Sequence, residues 1–149
     1  MKKTTLFALL AFSLLSTHAQ RTTDVLAYNY LITLSDASDT ISCVAGIHFI
    51  HLKEQTGTGF DLAAVKNGKG MLVTAVQEEN GKKIGFRQTA DNRLLLQFPD
   101  KKRAGDSTRV SIAYSGIPAD GMIISKNKFG KRTFFADNWP DRAHQWLVC

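Results

Sequence analysis

An all-β fold is predicted, an antiparallel sandwich or saddle-shaped sheet of about eight strands. Apolar residues recur at every second position in successive segments of residues 24–136. Clusters of Gly, Pro, Asn, Asp and Ser separate these segments, and no segment carries a helical stripe of useful length. Alternation with a period of two is the pattern of half-buried strands, and many short strands between turns are typical of a sandwich.

The beginning of the chain has the features of a signal peptide over residues 1–19. Met1-Lys2-Lys3 supplies positive charge, Leu6 to Leu15 an apolar run, and Thr17-His18-Ala19 a small-residue cleavage site. The apolar run is too short to span a bilayer, so a membrane anchor is the weaker interpretation. We therefore expect export to the periplasm, the cell envelope or the outside of the cell. Residues 20–149 then form one β domain with no integral membrane segment.

The charge pattern argues against a nucleic-acid partner. Removing Lys2 and Lys3 from the 19 basic residues leaves 17 against 13 acidic residues, a net charge of about +4. Basic residues are spread along the chain, whereas a nucleic-acid footprint clusters them with stacking aromatic residues. The two dense basic runs, 101–103 and 126–132, are interpreted as solvated loops.

The first two strands are expected to form an antiparallel pair. The segment 24–34 places Leu26, Tyr28, Tyr30 and Ile32 on one face. The segment 40–52 then alternates strictly, with the following residues on one face: Ile41, Cys43, Ala45, Ile47, Phe49 and His51. Further strands are expected at 60–62, 71–78, 83–88, 93–98, 108–114, 122–125 and 132–136. Asn80-Gly81 is the strongest hairpin signal among the intervening turns.

Residues that often carry chemistry have structural interpretations here. Cys43 is expected to be a buried free thiol, although a disulfide with Cys149 stays open in an oxidising compartment. His48 and His51 are three apart in a strand, which sends them to opposite faces and argues against a shared metal. The sequence contains no H-E-x-x-H motif, no C-x-x-C motif and no phosphate-binding glycine loop.

The order of segments resembles the N-terminal β domain of the aminopeptidase N (gluzincin) family of zinc metallopeptidases. The family's strand motifs match the following residues: Tyr28, Tyr30, Ile32, Ile41, Cys43, Ile47, Phe49, Ile112, Tyr114 and Gly116. The last sixteen residues, FFADNWPDRAHQWLVC, resemble the segment that leads into the family's catalytic domain. Val148 stands where the family has Pro, and the sequence stops at Cys149. The resemblance spans residues 24–149 and implies a domain truncated before its catalytic partner.

The resemblance implies a peptide substrate and a zinc ion that belong to the full-length enzyme. The zinc ligands and the general base would lie in the missing catalytic domain, so this chain alone is expected to hold no cofactor and to be inactive. In the family, two positions of the N-terminal domain lie near the free amine of the peptide. They correspond to Asp137 and Trp139. Alternatively, Asp137-Asn138 forms a turn and Trp139 packs under Pro140.

Two functions from different classes remain open on the sequence. The first is the N-terminal, non-catalytic piece of an exported zinc aminopeptidase, which contributes to binding the substrate amine. The second is a stand-alone exported β-sandwich that binds peptide, glycan or protein. The aromatic-rich C-terminus favours the first, and exposed Trp139, Trp146 and Leu147 would make this end sticky in isolation.

Overall fold

The computed structural model describes residues 21–149, and the predicted signal peptide lies outside this range. The regular secondary structure of the described part of the chain consists of antiparallel strands and one short 3-10 turn. Their bounds are β1 Thr23–Thr33, β2 Ile41–His51, β3 Gln55–Asp61, β4 Gly70–Glu78, β5 Gly85–Gln88, β6 Arg93–Lys102, β7 Ser107–Ile117, β8 Met122–Lys126 and β9 Arg132–Ala136. A single 3-10 turn follows at Ala143–Gln145. The predicted all-β class is confirmed.

The strands form two facing sheets and a separate hairpin. The larger sheet has the order β1-β2-β7-β4, the smaller has the order β3-β6-β5, and β8 pairs only with β9. The hydrophobic core lies between the sheets, where Ile47 and Ile112 of the larger sheet belong to one buried cluster with Leu94 of the smaller. No helix within residues 21–149 is long and apolar enough to cross a membrane.

Strand β2 matches its sequence pattern residue by residue. All six residues predicted on one face, from Ile41 to His51, are buried, whereas the alternate residues are exposed or half-buried. Strand β2 pairs with both β1 and β7, and its inward residues from Ile41 to Phe49 belong to the core cluster. His48 and His51 lie on opposite faces, as expected. Cys43 is a buried free thiol, and Cys149 is also free.

Strand β1 is irregular, which corrects part of the predicted face. A bulge between Val25 and Ala27 turns Leu26 outward, and its side chain is half exposed. Tyr30 and Ile32 pack against the core as predicted, Val25 joins them, and Tyr28 is exposed.

The Asn80-Gly81 turn forms, but the expected two-strand ladder does not. Gly81 N–H donates to the Glu78 carbonyl, and a single bridge joins Gln77 to Lys83. Ile84 is buried, and β5 then leaves β4 to pair with β6 in the other sheet. Burial of the chain between the layers therefore overrides the local hairpin signal.

Strands β3 and β6 are longer than predicted. Strand β3 begins at Gln55, where a loop was expected. Strand β6 continues through Pro99 to Lys102. Pro99 has no backbone N–H, but it lies where the pairing with β3 shifts register, so no backbone hydrogen bond to β3 is required there.

The interpretation of residues 101–103 as solvated loop is wrong for Lys102. Its side chain is only 18% exposed, and Nζ donates to Glu78 Oε1 at 2.7 Å. The ammonium also lies 5.4 Å from the centre of the Phe98 ring. Glu78 at the end of β4 is the partner of this ion pair, and its side chain is only 13% exposed.

Candidate functional site

The candidate substrate residue Asp137 lies where β9 leaves the hairpin. Its backbone N–H donates to the Gly121 carbonyl at 2.8 Å, which holds it beside the start of β8. Gly121 has a φ of 76°, and a Cβ there would come within 2.5 Å of the Arg142 carbonyl oxygen. Glycine is therefore required where the hairpin meets residues 137–149, which we call the C-terminal segment.

Arg142 organises the beginning of the C-terminal segment. Its Nη2 lies 2.6 Å from Asp137 Oδ2, and its Nε donates to the Trp139 carbonyl at 2.7 Å. Its backbone N–H donates to the Asn138 carbonyl, and Asp120 lies 3.6 Å from Nη1. The guanidinium thus compensates the charge of Asp137 and closes the loop from 137 to 142. Both side chains of the Asp137–Arg142 pair stay about one third exposed.

Trp139 projects from this loop with 79% of its surface exposed. The peptide bond to Pro140 is cis. The alternative in which Trp139 packs under Pro140 is wrong, because the indole has so little surface covered. The first part of that alternative is also wrong in position, because the turn lies at residues 139–142, after Asp137-Asn138, and is closed by the hydrogen bond from Arg142 N–H to the Asn138 carbonyl.

Trp146 is buried, which corrects the expectation of an exposed aromatic end. Only 4% of its surface is accessible, and its indole N–H donates to Asn138 Oδ1 at 2.8 Å. Val148 is fully buried, and Leu147 is partly buried against the core. The C-terminal segment therefore contributes to the core of this domain, and Trp139 alone of the three predicted residues is largely exposed.

Backbone hydrogen bonds fix the C-terminal segment to the smaller sheet. Asp61 and Cys149 exchange two bonds, of 2.6 and 3.0 Å, and Ala63 N–H donates to the His144 carbonyl. Sequence periodicity gave no signal for these contacts, because they join an irregular segment to residues more than 80 positions earlier.

A tyrosine of the larger sheet completes the attachment. The Tyr30 hydroxyl donates to the Val148 carbonyl at 2.6 Å. Burial, and then the nearby Cys149, raise the pKa of Tyr30, so it remains a donor across the physiological range. Burial likewise raises the pKa of the Cys149 thiol, which argues against a nucleophilic role for it.

Exposed apolar side chains lie on the hairpin that leads to Asp137. Ile123 and Phe135 are cross-strand partners, with 49% and 64% of their surfaces exposed. Phe135 lies two residues before Asp137, near the end of β9. Ile123, Phe135 and Trp139 are thus exposed apolar side chains on the hairpin and on the loop that follows Asp137, and such surface suits contact with a peptide or another domain.

Asp137 keeps one carboxylate oxygen that can bind a further group. Asp137 Oδ2 is taken by Arg142, whereas Oδ1 has no hydrogen bond to the described residues and can accept one from an ammonium group. Nowhere in residues 21–149 do three His, Cys, Asp or Glu side chains come together in a way that could hold a metal ion.

Solved structures of zinc metallopeptidases share this fold. An M1 zinc metallopeptidase from Deinococcus radiodurans is 23% identical, with a TM-score of 0.66, over 87% of this chain and 29% of that chain. Two-domain M1 zinc metallopeptidase mutants are similar as well. One bound to L-arginine is 22% identical with a TM-score of 0.66, and one bound to L-tryptophan is 24% identical with a TM-score of 0.67.

The present chain spans less than a third of the length of these metallopeptidases. No family model matches the sequence, and no curated protein matches it. The resemblance predicted from the strand motifs is confirmed at the level of the fold: residues 21–149 are folded like part of an M1, aminopeptidase N-like, zinc metallopeptidase.

Proposed function

We propose that this chain is the N-terminal, non-catalytic domain of an exported zinc aminopeptidase that removes N-terminal residues from peptides. The observation that carries this proposal is the shared fold over 87% of the chain, matched to only about 29% of the M1 metallopeptidases. A domain of this size is one part of such an enzyme. Zinc and the groups that activate water would belong to the catalytic domain, on which this domain packs.

Asp137 and Trp139 contribute to binding the substrate amine in this role. Asp137 Oδ1 accepts a hydrogen bond from the ammonium group of the peptide, while Arg142 holds the carboxylate in place through Oδ2. The exposed indole of Trp139 offers an apolar wall, or a cation–π face, for the first residue of the peptide. An M1 metallopeptidase mutant from Deinococcus radiodurans has been crystallised with the substrate Tyr-Ser-Ala, which is a suitable probe.

Binding is tested with the full chain by NMR, with the Trp139 indole N–H as the reporter. Tyr-Ser-Ala is expected to shift this signal, and its N-acetylated form is not. Asp137→Asn should weaken binding about tenfold or more, because a hydrogen bond to a charged group contributes about 1.5–3 kcal/mol. Asp120→Asn is the matched control, since Asp120 also neighbours Arg142 but only at 3.6 Å. Equal binding of the acetylated peptide, or an equal loss in both variants, would contradict the role of Asp137.

The non-catalytic role has a separate test. When supplied with Zn²⁺, the chain should not release a fluorophore from amino-acid amides. Among the described residues there is no cluster of side chains that could hold the zinc ion, and the ion is needed to activate the attacking water. Zinc-dependent hydrolase activity that co-purifies with the protein would contradict the non-catalytic role.

Export to the periplasm or beyond the cell is part of the same role. The charged start, apolar run and small-residue site of residues 1–19 support it. Mass spectrometry of the mature protein should find cleavage after Ala19, and a cell-associated protein that retains Met1–Ala19 would contradict it.

A further inference from the structure

The turn between β8 and β9 carries a feature that the proposed function does not use. Residues 126–131, which we call the hairpin tip, read Lys-Asn-Lys-Phe-Gly-Lys, and all six are exposed. Phe129, near the centre of the tip, has 75% of its surface exposed to solvent. No Asp or Glu occurs between residues 121 and 136. The hairpin tip therefore combines three lysines with an exposed aromatic ring.

Hydrogen bonds fix the shape of the hairpin tip. The side-chain oxygen of Asn127 accepts from the backbone N–H groups of Phe129 and Lys131, at 2.9 and 3.0 Å. The Asn127 N–H donates to the Lys131 carbonyl, and the Gly130 N–H donates to the Asn127 carbonyl. Gly130 has a φ of 76°, a backbone conformation that favours glycine. Phe129 is therefore presented to solvent by a hydrogen-bonded turn, which lowers the entropy that a binding event has to overcome.

Arg132 ties the base of the hairpin tip to the turn between β1 and β2. Its Nε donates to the Asp36 carbonyl at 3.0 Å, and its Nη1 pairs with Asp39. The Arg132 side chain is only 19% exposed, so its charge is used within the domain. Met122 and Ile124 of the same hairpin pack against the core. The hairpin is thus anchored along its strands while its tip lies in solvent.

The lysines of the hairpin tip carry charge that the domain leaves uncompensated. Among the described residues, the ion pairs do not include Lys126, Lys128 or Lys131. Asp36 is the carboxylate that lines the same cleft as Lys126 and Lys131. Three ammonium groups against one carboxylate leave this surface positively charged, which suits a negatively charged partner.

An exposed apolar ring within a basic cluster fits a lipid surface better than a nucleic acid. Nucleic-acid grooves offer several aromatic faces on which successive bases stack. The hairpin tip has a single ring, and Lys128 Nζ lies over it, 5.0 Å from its centre. At a bilayer, an aromatic ring enters the boundary between headgroups and acyl chains, while lysine stems lie along apolar surface and keep their ammonium groups in the headgroup layer. The pair of Phe129 and Lys128 has this form.

We propose that the hairpin tip binds the surface of anionic lipid bilayers: Phe129 inserts between the headgroups, while Lys126, Lys128 and Lys131 bind the lipid phosphates. Stable attachment at a bilayer takes an apolar and a basic contribution together, so loss of either one weakens it. The contact is peripheral and reversible. It uses neither Asp137 nor zinc, so its failure would leave the proposed function untouched.

The test uses residues 20–149, because the apolar run at residues 6–15 would itself bind lipid and the described domain has its own core. Co-sedimentation measures binding to phosphatidylcholine vesicles with or without about one third phosphatidylglycerol, which supplies the negative charge. Binding to the anionic vesicles should be about tenfold stronger or more, and should weaken as salt rises from about 0.05 to about 0.5 M. In bicelles with a trace of spin-labelled lipid, amide signals of the hairpin tip should broaden, whereas those of residues 103–106 should not.

A matched pair of charge variants separates the hairpin tip from general charge attraction. The double variant Lys128→Gln/Lys131→Gln should weaken binding about tenfold or more, since each lysine near an anionic surface contributes about a factor of five. Lys53→Gln/Arg103→Gln removes the same charge from exposed loops at the opposite end of the larger sheet, where Gly105 N–H donates to the carbonyl of the last residue of β2. This control should change binding by less than about twofold.

A second pair tests insertion of the ring. Phe129→Ala should weaken binding about fivefold or more, because apolar surface no longer enters the boundary of the bilayer. Phe135→Ala is the control: Phe135 is 64% exposed as well, but it lies in β9 and not in the tip, and its loss should leave binding unchanged. All these side chains are exposed, so the variants should fold like the parent chain, which circular dichroism checks.

Three results would overturn the proposal. Equal binding to neutral and anionic vesicles, or no binding to either, would show that the lysines do not bind lipid phosphates. Equal losses in the two charge variants would mean general charge attraction. Parent-like binding by Phe129→Ala would leave a site for soluble polyanions or acidic proteins rather than for a bilayer.

Discussion

The two tryptophans of the C-terminal segment should differ sharply in their contribution to stability. Trp146 is 4% exposed and Trp139 is 79% exposed, although only six residues separate them in the chain. A buried aromatic side chain covers about 150–250 Å², which at about 25 cal/mol per Å² corresponds to roughly 4–6 kcal/mol of transfer free energy. Measured costs of truncating such a residue to alanine are about 3–5 kcal/mol.

Trp146→Ala is therefore expected to lower the free energy of unfolding by about 3–5 kcal/mol. It also leaves Asn138 Oδ1 without the indole donor. Such a loss is a large fraction of the roughly 5–15 kcal/mol that stabilises an ordinary domain. Trp139→Ala is the matched control and should change the free energy of unfolding by no more than about 0.5 kcal/mol.

Urea unfolding followed by far-ultraviolet circular dichroism measures both variants without using tryptophan fluorescence. The m-values should stay similar, so that a shift of the midpoint reports stability. If the two alanine variants cost the same, or if Trp146→Ala costs less than about 1 kcal/mol, the C-terminal segment does not complete the core as described.

Two further substitutions test how the sheet and the C-terminal segment are held. A Cβ at Gly116 would lie 2.0 Å from the Gly70 carbonyl oxygen, whereas the nearest atom to a Cβ at Gly46 is 3.8 Å away. Gly116→Ala should therefore destabilise the domain by about 1–3 kcal/mol or more, whereas Gly46→Ala should not. Thermal unfolding measures both variants, and equal melting temperatures would refute the close approach of Gly116 to the Gly70 backbone. Tyr30→Phe removes the hydroxyl that donates to the Val148 carbonyl at 2.6 Å and should cost about 0.5–1.5 kcal/mol in urea unfolding. No loss relative to the parent chain would mean that this bond does not hold the segment.

Strand β2 could be read from the sequence because its environment is uniform. It lies at the centre of the larger sheet, so alternation alone decides which side chain is buried. Strand β1 lies at the edge, and its bulge at Val25 has no periodic signature. The pairing of β5 was predicted wrongly because burial of Ile84 acts across the sandwich, whereas the Asn80-Gly81 signal is local.

The candidate site could be predicted only in part. Matching of the C-terminal motif selected Asp137 and Trp139, and their binding role stays a prediction. The ion pair of Asp137 with Arg142 joins residues five apart in an irregular loop, so no helix or strand period could reveal it. The burial of Trp146 depends on Asn138 and on strands far away in the sequence, and composition alone made it look exposed.

Whether this domain belongs to a zinc aminopeptidase can be decided by sequencing the source DNA on the 3′ side of the Cys149 codon in all frames. We expect a region encoding H-E-x-x-H with a glutamate further downstream, which together would supply the zinc ligands and the general base. The absence of any such region next to this domain would contradict it.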